Sequence, residues 1–178
     1  MRDVTYCLAG TALGDLFVAS TEQGVCTVDF EPNSLNWIDH LAGSTIRKNQ
    51  QAVKPIVDEI QSYLAGELQT FTCDVDLTFA TAYAQRVLHE LRKVPFGEVT
   101  SYGQLARRIG SSPRAVGGAV GRNPIPIIVP CHRVLAGDGS LGGFSGGLDR
   151  KRALLAIEGR VDLPGGWFSA RAPEVAQV

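Results

Sequence analysis

The spacing of the apolar residues in this chain changes near residue 80, and that change constrains the fold more than any other feature. Ahead of it, strand-like and helix-like runs are mixed. Residues 13–30 have a hairpin pattern: an apolar run at 16–19, a Glu-Gln-Gly turn at 22–24 and a second run at 25–30. Ser34 is placed to cap a short helix carrying Leu35, Ile38 and Leu41. Val53, Ile56, Val57, Ile60 and Leu64 predict a longer helix stopped by Gly66. Phe71, Cys73, Val75 and Leu77 alternate with polar residues, as a further strand would.

After residue 80 the helical period takes over. Thr81 can cap a helix with Tyr83, Val87, Leu88 and Leu91 on one face, ended by Pro95 and Gly97. A second helix starts near Ser101, with Tyr102, Leu105, Ala106 and Ile109 at i, i+3, i+4 and i+7 and Gly110 as its stop. Ser111-Ser112-Pro113 supplies a short turn, a cap and a first-turn proline for a third helix over 114–122. Helix, three-residue turn, helix is the helix-turn-helix pattern. A last helix begins near Asp149, buries Leu154, Leu155 and Ile157, and ends at Glu158-Gly159. The expected class is α+β. A small N-terminal α/β domain with an antiparallel sheet (1–78) precedes a mainly helical C-terminal domain with a winged helix-turn-helix (79–162). A flexible tail (163–178) follows.

Charge follows the same division. The formal net charge is −1, but the chain through Phe79 holds four basic and eleven acidic residues, and the remainder thirteen basic and seven acidic. Between Glu98 and Asp138 there is no acid at all, while Arg107, Arg108, Arg114, Arg122 and Arg133 fall inside the gap. An acid-free basic stretch on a helix-turn-helix points to a nucleic-acid partner. The helix that would lie on it reads Arg114-Ala115-Val116-Gly117-Gly118-Ala119-Val120-Gly121-Arg122, without the Asn, Gln, Ser or Thr that read base edges. Glycines cost about 1 kcal/mol each in a helix interior. Either close approach to a phosphate backbone or tight packing on the protein's own core would offset that, and both readings stand at this point. No apolar run nears the length of a membrane span.

The four cysteines, Cys7, Cys26, Cys73 and Cys131, are too sparse for a disulfide framework. The N-terminus has no basic segment followed by an apolar run, so an intracellular setting with free thiols is expected. Cys7, Cys26 and Cys73 lie in strand-like apolar runs and read as small buried hydrophobes. Cys131 differs. It ends the stiff run Pro124-Ile125-Pro126-Ile127-Ile128-Val129-Pro130, has His132 beside it, and follows a basic helix, an environment that favours thiolate. In an extended segment neighbouring side chains diverge, so a bridging water is the expected link between the two unless the chain turns. Glu158 could orient the imidazole. Full ionisation of a thiol with a pKa of about 8.5 gains only about 30-fold at pH 7, about 2 kcal/mol, so most of any acceleration has to come from positioning the target. The glycine-rich loop 137–147 has no Lys-Ser or Lys-Thr after it, as a phosphate loop would, and reads as a pocket wall carrying Phe144 and Ser145.

Pro-Cys-His-Arg-Val at 130–134, preceded by Asn-Pro-Ile-Pro-Ile-Ile-Val, by Arg-Ala-Val-Gly-Gly-Ala at 114–119 and by Ser-Tyr-Gly-Gln-Leu-Ala at 101–106, resembles the O6-alkylguanine-DNA alkyltransferases. Phe-Ser-Gly-Gly-Leu at 144–148 and Leu-Leu-Ala-Ile-Glu-Gly at 154–159 extend the likeness across roughly 80–160. The resemblance implies single-turnover repair. Cys131 would take the alkyl group from O6 of guanine, and from O4-alkylthymine, and keep it. His132 and Glu158 would form a water-linked relay, held by Asn123, while Tyr102 hydrogen-bonds guanine N3 as it leaves. Arg114 would fill the gap left by the flipped nucleotide. Ala115, Gly117, Gly118 and Arg122 would lie on the DNA. Pro126, Val134, Phe144, Ser145 and Gly146 would form the base and alkyl pocket.

Some members of the family bind zinc through Cys and His ligands in the N-terminal domain. Here the hairpin puts Thr21 at one such position and Cys26 at another, so neither metal nor cofactor is expected. Leu88 and Ala84 stand where members commonly show Trp and Gln. The implied partner is double-stranded DNA carrying the lesion, with little sequence specificity, no membrane, a cytoplasmic location and a monomer in the absence of DNA. Two other functions fit parts of the pattern. A cysteine hydrolase would use Cys131, His132 and Glu158 with repeated turnover; a helix-turn-helix regulator would leave the Pro-Cys-His-Arg segment unexplained.

Overall fold

The computed structural model describes residues 2–30 and 40–161. The helix expected after Ser34 and the tail from 163 lie largely or wholly outside the described residues. Four strands, β1 (Arg2–Thr11), β2 (Gly14–Thr21), β3 (Gly24–Asp29) and β4 (Ser44–Lys48), form one sheet in the order β3-β2-β1-β4. The hairpin expected over 13–30 is β2–β3, antiparallel with a bulge at Ala19/Ser20. β1 also runs antiparallel to β2, whereas β4 joins its other edge in parallel. Neither β1 nor β4 shows a clean alternation in sequence. Residues 16–19 of β2 are all buried because both faces are covered: Leu16 and Val18 enter the main core, while Phe17 and Ala19 pack with Val4, Cys26 and Leu41 on the other side.

The strand expected over 71–77 is not formed. The segment touches β3 through a single bridge, Val25 to Val75, with Val25 N–H donating to Asp74 O at 2.9 Å and Asp76 N–H to Val25 O at 2.7 Å. Its alternation is real, since Phe71, Cys73, Val75 and Leu77 pack on the core. Pairing stops after one residue because Asp76 turns its carboxylate onto Thr21 and Thr78.

Helix α1 (Gln50–Leu64), capped by Asn49, lies against β1 and buries Val53, Ile60 and Tyr63. α2 (Ala82–Leu91), capped by Thr81, packs with α3 (Tyr102–Ile109) and α4 (Pro113–Val120). Ser101 and Gln104 close a reciprocal capping box at the start of α3, Gly110 ends it in the left-handed conformation, and Ser112 caps α4 with Pro113 in its first turn. The helix-turn-helix is therefore present. Two short elements then place the site. β5 (Thr100–Ser101) pairs in parallel with β6 (Val134–Leu135), and a single 3-10 turn, Cys131–Arg133, precedes β6. This brings Tyr102, first residue of α3, close to the segment carrying Cys131. α5 (Leu148–Ile157) returns Glu158 to that turn. One apolar cluster takes side chains from the sheet, from α1 to α5 and from the 125–134 run, so both parts of the chain share it.

Gly24 shows how tightly the hairpin and the 74–75 backbone fit: it has a φ of +132°, and a Cβ there would lie 2.4 Å from Asp74 O. Gly24→Ala should destabilise the protein by about 2 kcal/mol or more, read as a lower urea midpoint, whereas Gly137→Ala, with open space around it, should be near neutral. Equal midpoints for the two variants would contradict this packing.

Candidate active site

The site is assembled around the 3-10 turn. The chain turns here instead of running extended, and Cys131, His132 and Arg133 are all buried. Ile127, in the run before it, adopts a φ of 75°, uncommon for a β-branched residue, and its side chain is fully buried. Asn123 holds the run in place. Its Nδ2 donates to Val129 O at 2.8 Å and to Cys131 Sγ at 3.1 Å, and its Oδ1 accepts from Ile125 N–H at 3.0 Å. Asn123, expected to hold the relay of His132 and Glu158, lies on the sulfur itself.

His132 is wholly buried. Its Nε2 faces Glu158 Oε1 at 2.8 Å, and its Nδ1 has no protein hydrogen-bond partner. Burial first of all keeps the imidazole pKa below its ordinary value, against the pull of Glu158, so the ring is neutral and able to take a proton. Glu158 is held near 2. Burial opposes that charge, but His132, Arg133 and Tyr63 all donate to it.

Burial also governs the thiol. Cys131 is pushed up to about 11, with the Asn123 bond and the Lys151 charge only partly offsetting burial. The expectation that a basic neighbourhood favours thiolate is corrected: at neutral pH the resting sulfur carries its proton. Four pH units correspond to roughly 5 kcal/mol for ionising it unaided. The thiolate therefore forms only when a nearby base accepts the proton. Cys26 and Cys73, pushed up to about 12 and about 11, are protonated as well. What singles out Cys131 is its partners.

Two residues of the site were not legible as such. Arg133, which falls in the acid-free basic stretch, is an internal counter-ion. Its Nε and Nη2 donate to Glu158 at 2.8–3.1 Å and its Nη1 to Val94 O at 2.6 Å. Tyr63 comes from α1, far off in sequence. Its hydroxyl donates to Glu158 Oε1 at 2.6 Å and lies 3.2 Å from His132 Nε2. Gly97 N–H completes the shell of Glu158 at 3.2 Å. Lys151, also buried, donates to the carbonyls of Val134, Leu141 and Gly143 and ties the 141–143 loop to β6, its pKa lowered by burial to about 8.

Tyr102 is half-buried, and burial raises its pKa, so its hydroxyl keeps its proton. A Cβ on Gly117 would meet its ring at 3.8 Å. Arg114 and Ala115 on α4 and Arg122 just beyond its end are exposed, while Val116, Ala119 and Val120 are buried. A Cβ on Gly118 would meet only the Arg122 guanidinium at 3.7 Å, so the protein's own packing does not require glycine there. The expected pocket residues divide. Pro126, Ser145 and Gly146 line a cavity of about 420 Å³ together with Thr27, Phe30, His40 and Asn123, a lining that includes neither Cys131 nor Tyr102. Phe144 packs edge-on to Phe30 with centroids 6.0 Å apart, and a Cβ on Gly146 would lie 2.7 Å from Phe30. The Val134 side chain is not in this wall; the residue is buried in the core, and its carbonyl accepts from Lys151 Nζ at 2.6 Å.

The residues at the hairpin do not fit zinc. Thr21 donates its hydroxyl to Asp76 at 2.7 Å, and Cys26 is wholly buried in the apolar cluster of Val4, Phe17, Ala19 and Leu41. Among the described residues no cluster of His, Cys, Asp or Glu could hold a metal ion, and no helix is long and apolar enough to cross a membrane.

Residues 82–160 match the family described as 6-O-methylguanine DNA methyltransferase, DNA binding domain, and residues 4–77 match its ribonuclease-like domain. A methylated-DNA–protein-cysteine methyltransferase of Mycolicibacterium paratuberculosis is 42% identical over 133 residues, 74% of each chain. The structure of the Mycobacterium tuberculosis O6-methylguanine methyltransferase superposes with a TM-score of 0.77 at 37% identity, covering 90% of this chain and 95% of that one. A Mycobacterium tuberculosis OGT in complex with DNA gives 0.71 at 36%, covering 88% and 92%.

The Glu158 cluster makes stability pH-dependent. Its folded pKa, near 2, lies below the ordinary 4.5. That contribution is full above about 4.5 and is lost as the pH falls toward 2, roughly 3 kcal/mol in all. Urea unfolding from pH 6 to 2.5 should show this loss in the wild type. Glu158→Gln should be less stable by about 3 kcal/mol at pH 6, because Arg133 is left buried and unpaired, and its pH dependence should be shallower. Parallel slopes for the two proteins would rule this out.

Proposed function

The chain belongs to the 6-O-methylguanine DNA methyltransferase family, and from that premise we propose that Cys131 is the residue that takes the alkyl group from O6-alkylguanine in double-stranded DNA. The protein is a direct-reversal DNA-repair enzyme, a methylated-DNA–[protein]-cysteine S-methyltransferase, and DNA is its partner. Family membership sets aside both the hydrolase and the regulator reading. The observation that carries the assignment to Cys131 is its pairing: Asn123 bonds its sulfur, and the adjacent His132 is neutral and buried, with Nδ1 left without a protein partner.

The step balances without a cofactor. His132 Nδ1 accepts the thiol proton through a bridging water, which a buried polar atom of this kind calls for. The sulfur forms a bond to the alkyl carbon as the carbon–O6 bond breaks. The electron pair of that bond goes to guanine, which takes up a proton, so thiol and alkylguanine become thioether and guanine. Tyr102, kept protonated, hydrogen-bonds guanine N3 and so stabilises the leaving base. Glu158 keeps the developing imidazolium neutralised. The thioether has no route back, so each molecule acts once. O4-alkylthymine, which presents an alkyl carbon on an oxygen in the same way, is a second substrate.

The base is out of reach inside the stack, so the nucleotide is flipped, at a few kcal/mol that a damaged pair lowers. Arg114, at the exposed start of α4, fills the gap. Ala115, Gly117 and Gly118 let the helix settle on the backbone and Arg122 neutralises phosphate, contacts that carry little sequence information. Ser145, Gly146 and the Val134 backbone hold the flipped base, with Pro126 and Phe144 beside the alkyl group. The working units are an N-terminal domain over 1–78 and a DNA-binding, acceptor domain over 79–162, acting as a monomer in the cytoplasm.

After incubation with DNA containing O6-methylguanine, the peptide bearing Cys131 should gain one methyl group, once per molecule. Cys131→Ser should abolish transfer and keep DNA affinity. Repeated turnover, or methylation at another residue, would overturn the assignment. Gly118→Ala should leave stability equal or higher by about 0.5–1 kcal/mol while weakening duplex binding, and Arg114→Ala should slow repair of duplex DNA. Unchanged binding and repair in both variants would remove α4 from the DNA interface.

A further inference from the structure

Tyr63 stands on the last turn of α1, outside the segment that carries the other relay residues, yet its hydroxyl is at the centre of the relay. The residue is wholly buried. Its ring is fixed against Phe71, Phe96 and His132, with centroids 5.2, 6.0 and 6.4 Å away. We propose that Tyr63 is a positioning residue of the transfer reaction, its hydroxyl holding the His132 hydrogen on Nε2 and damping the charge of Glu158, so that Nδ1 is the base for Cys131. The inference rests on the reading of Cys131 as acceptor and His132 as its base.

A tyrosine hydroxyl has one hydrogen to give. The contact to Glu158 Oε1, at 2.6 Å and onto an anion, is the stronger and takes that hydrogen; the oxygen lone pair is then what faces His132 Nε2 at 3.2 Å. Two acceptors, the carboxylate and the Tyr63 oxygen, therefore converge on Nε2 and neither can donate there. Nε2 has to carry the hydrogen, which leaves the lone pair on Nδ1. The same hydroxyl shares the charge of Glu158 with Arg133 and Gly97, so the carboxylate pulls less strongly on the imidazole hydrogen. The other charges around the ring, Arg133 and Lys151, both oppose its protonation.

Tyr63→Phe removes only this hydroxyl. Glu158 loses a donor at 2.6 Å while His132 loses a weaker acceptor at 3.2 Å. The net effect is a stronger pull on the ring proton and a higher His132 pKa, so the imidazole is already charged at pH values where it should be accepting. The test is methyl transfer from an O6-methylguanine duplex across pH 5–9 for the full-length wild type and Tyr63→Phe. It is paired with the nitrogen NMR titration of His132, which is tractable because the chain has 3 histidines. Expected are an acid limb and His132 titration both moved to higher pH by about half a unit or more, and a transfer rate on that limb, near pH 5, about threefold lower. A slower reaction with an unshifted limb and titration would mean a merely structural tyrosine and overturns the proposal, as does an unchanged rate. If the variant does not fold, the wild-type spectrum still decides: a neutral His132 protonated on Nδ1 refutes it. A wild type that transfers no methyl to Cys131 would refute the acceptor assignment instead.

Discussion

A buried negative charge on Glu158 organises this molecule. Removing a carboxylate from water costs several kcal/mol, and the ion is tolerated only when other groups replace the lost solvation. Here the replacements come from three places in the chain: Tyr63 from α1, Gly97 from the loop before α3, and His132 and Arg133 from the turn that carries Cys131. Each is held by its own packing, so satisfying one charge brings the N-terminal unit, the 3-10 turn and the end of α5 into a single arrangement. Arg133 matters most for the energetics, since it supplies the compensating full charge and is itself anchored on Val94 O.

That arrangement suits the proposed single-turnover role of Cys131. A resident thiolate would be exposed to oxidants before it met a lesion. Burial keeps Cys131 protonated, and in the proposed reaction the neutral imidazole beside it takes up the proton at the moment of transfer. The thiol is stored in its unreactive form, and reactivity depends on geometry that the protein has already fixed: Asn123 on the sulfur, the turn that keeps His132 next to it, and Lys151 binding the neighbouring loop to β6.

Local signals in the sequence were strong wherever hydrogen bonding is local. The caps at Thr81, Ser101 and Ser112, the stop at Gly110 and the β2–β3 turn all form as their residues require. Signals that depend on pairing with a distant segment failed. β1 and β4 find each other across more than thirty residues, and the alternating run 71–77 has a partner for one residue only. Arg133 shows the same limit in the site: its position in an acid-free stretch says nothing of Glu158, which reaches it from the other end of the domain.

By itself, the sequence determined the helices after residue 80, the helix-turn-helix, the uneven distribution of charge and the motifs that single out Cys131, His132 and Glu158, because all of these are written in neighbouring residues. Tertiary structure alone decided the protonation of the thiol, the inward turn of Arg133 and the entry of Tyr63 into the relay. Those properties depend on burial and on distances between groups as much as 95 residues apart along the chain. Neither can be read from spacing, since the energy of an ionisable group is set by what surrounds it in space.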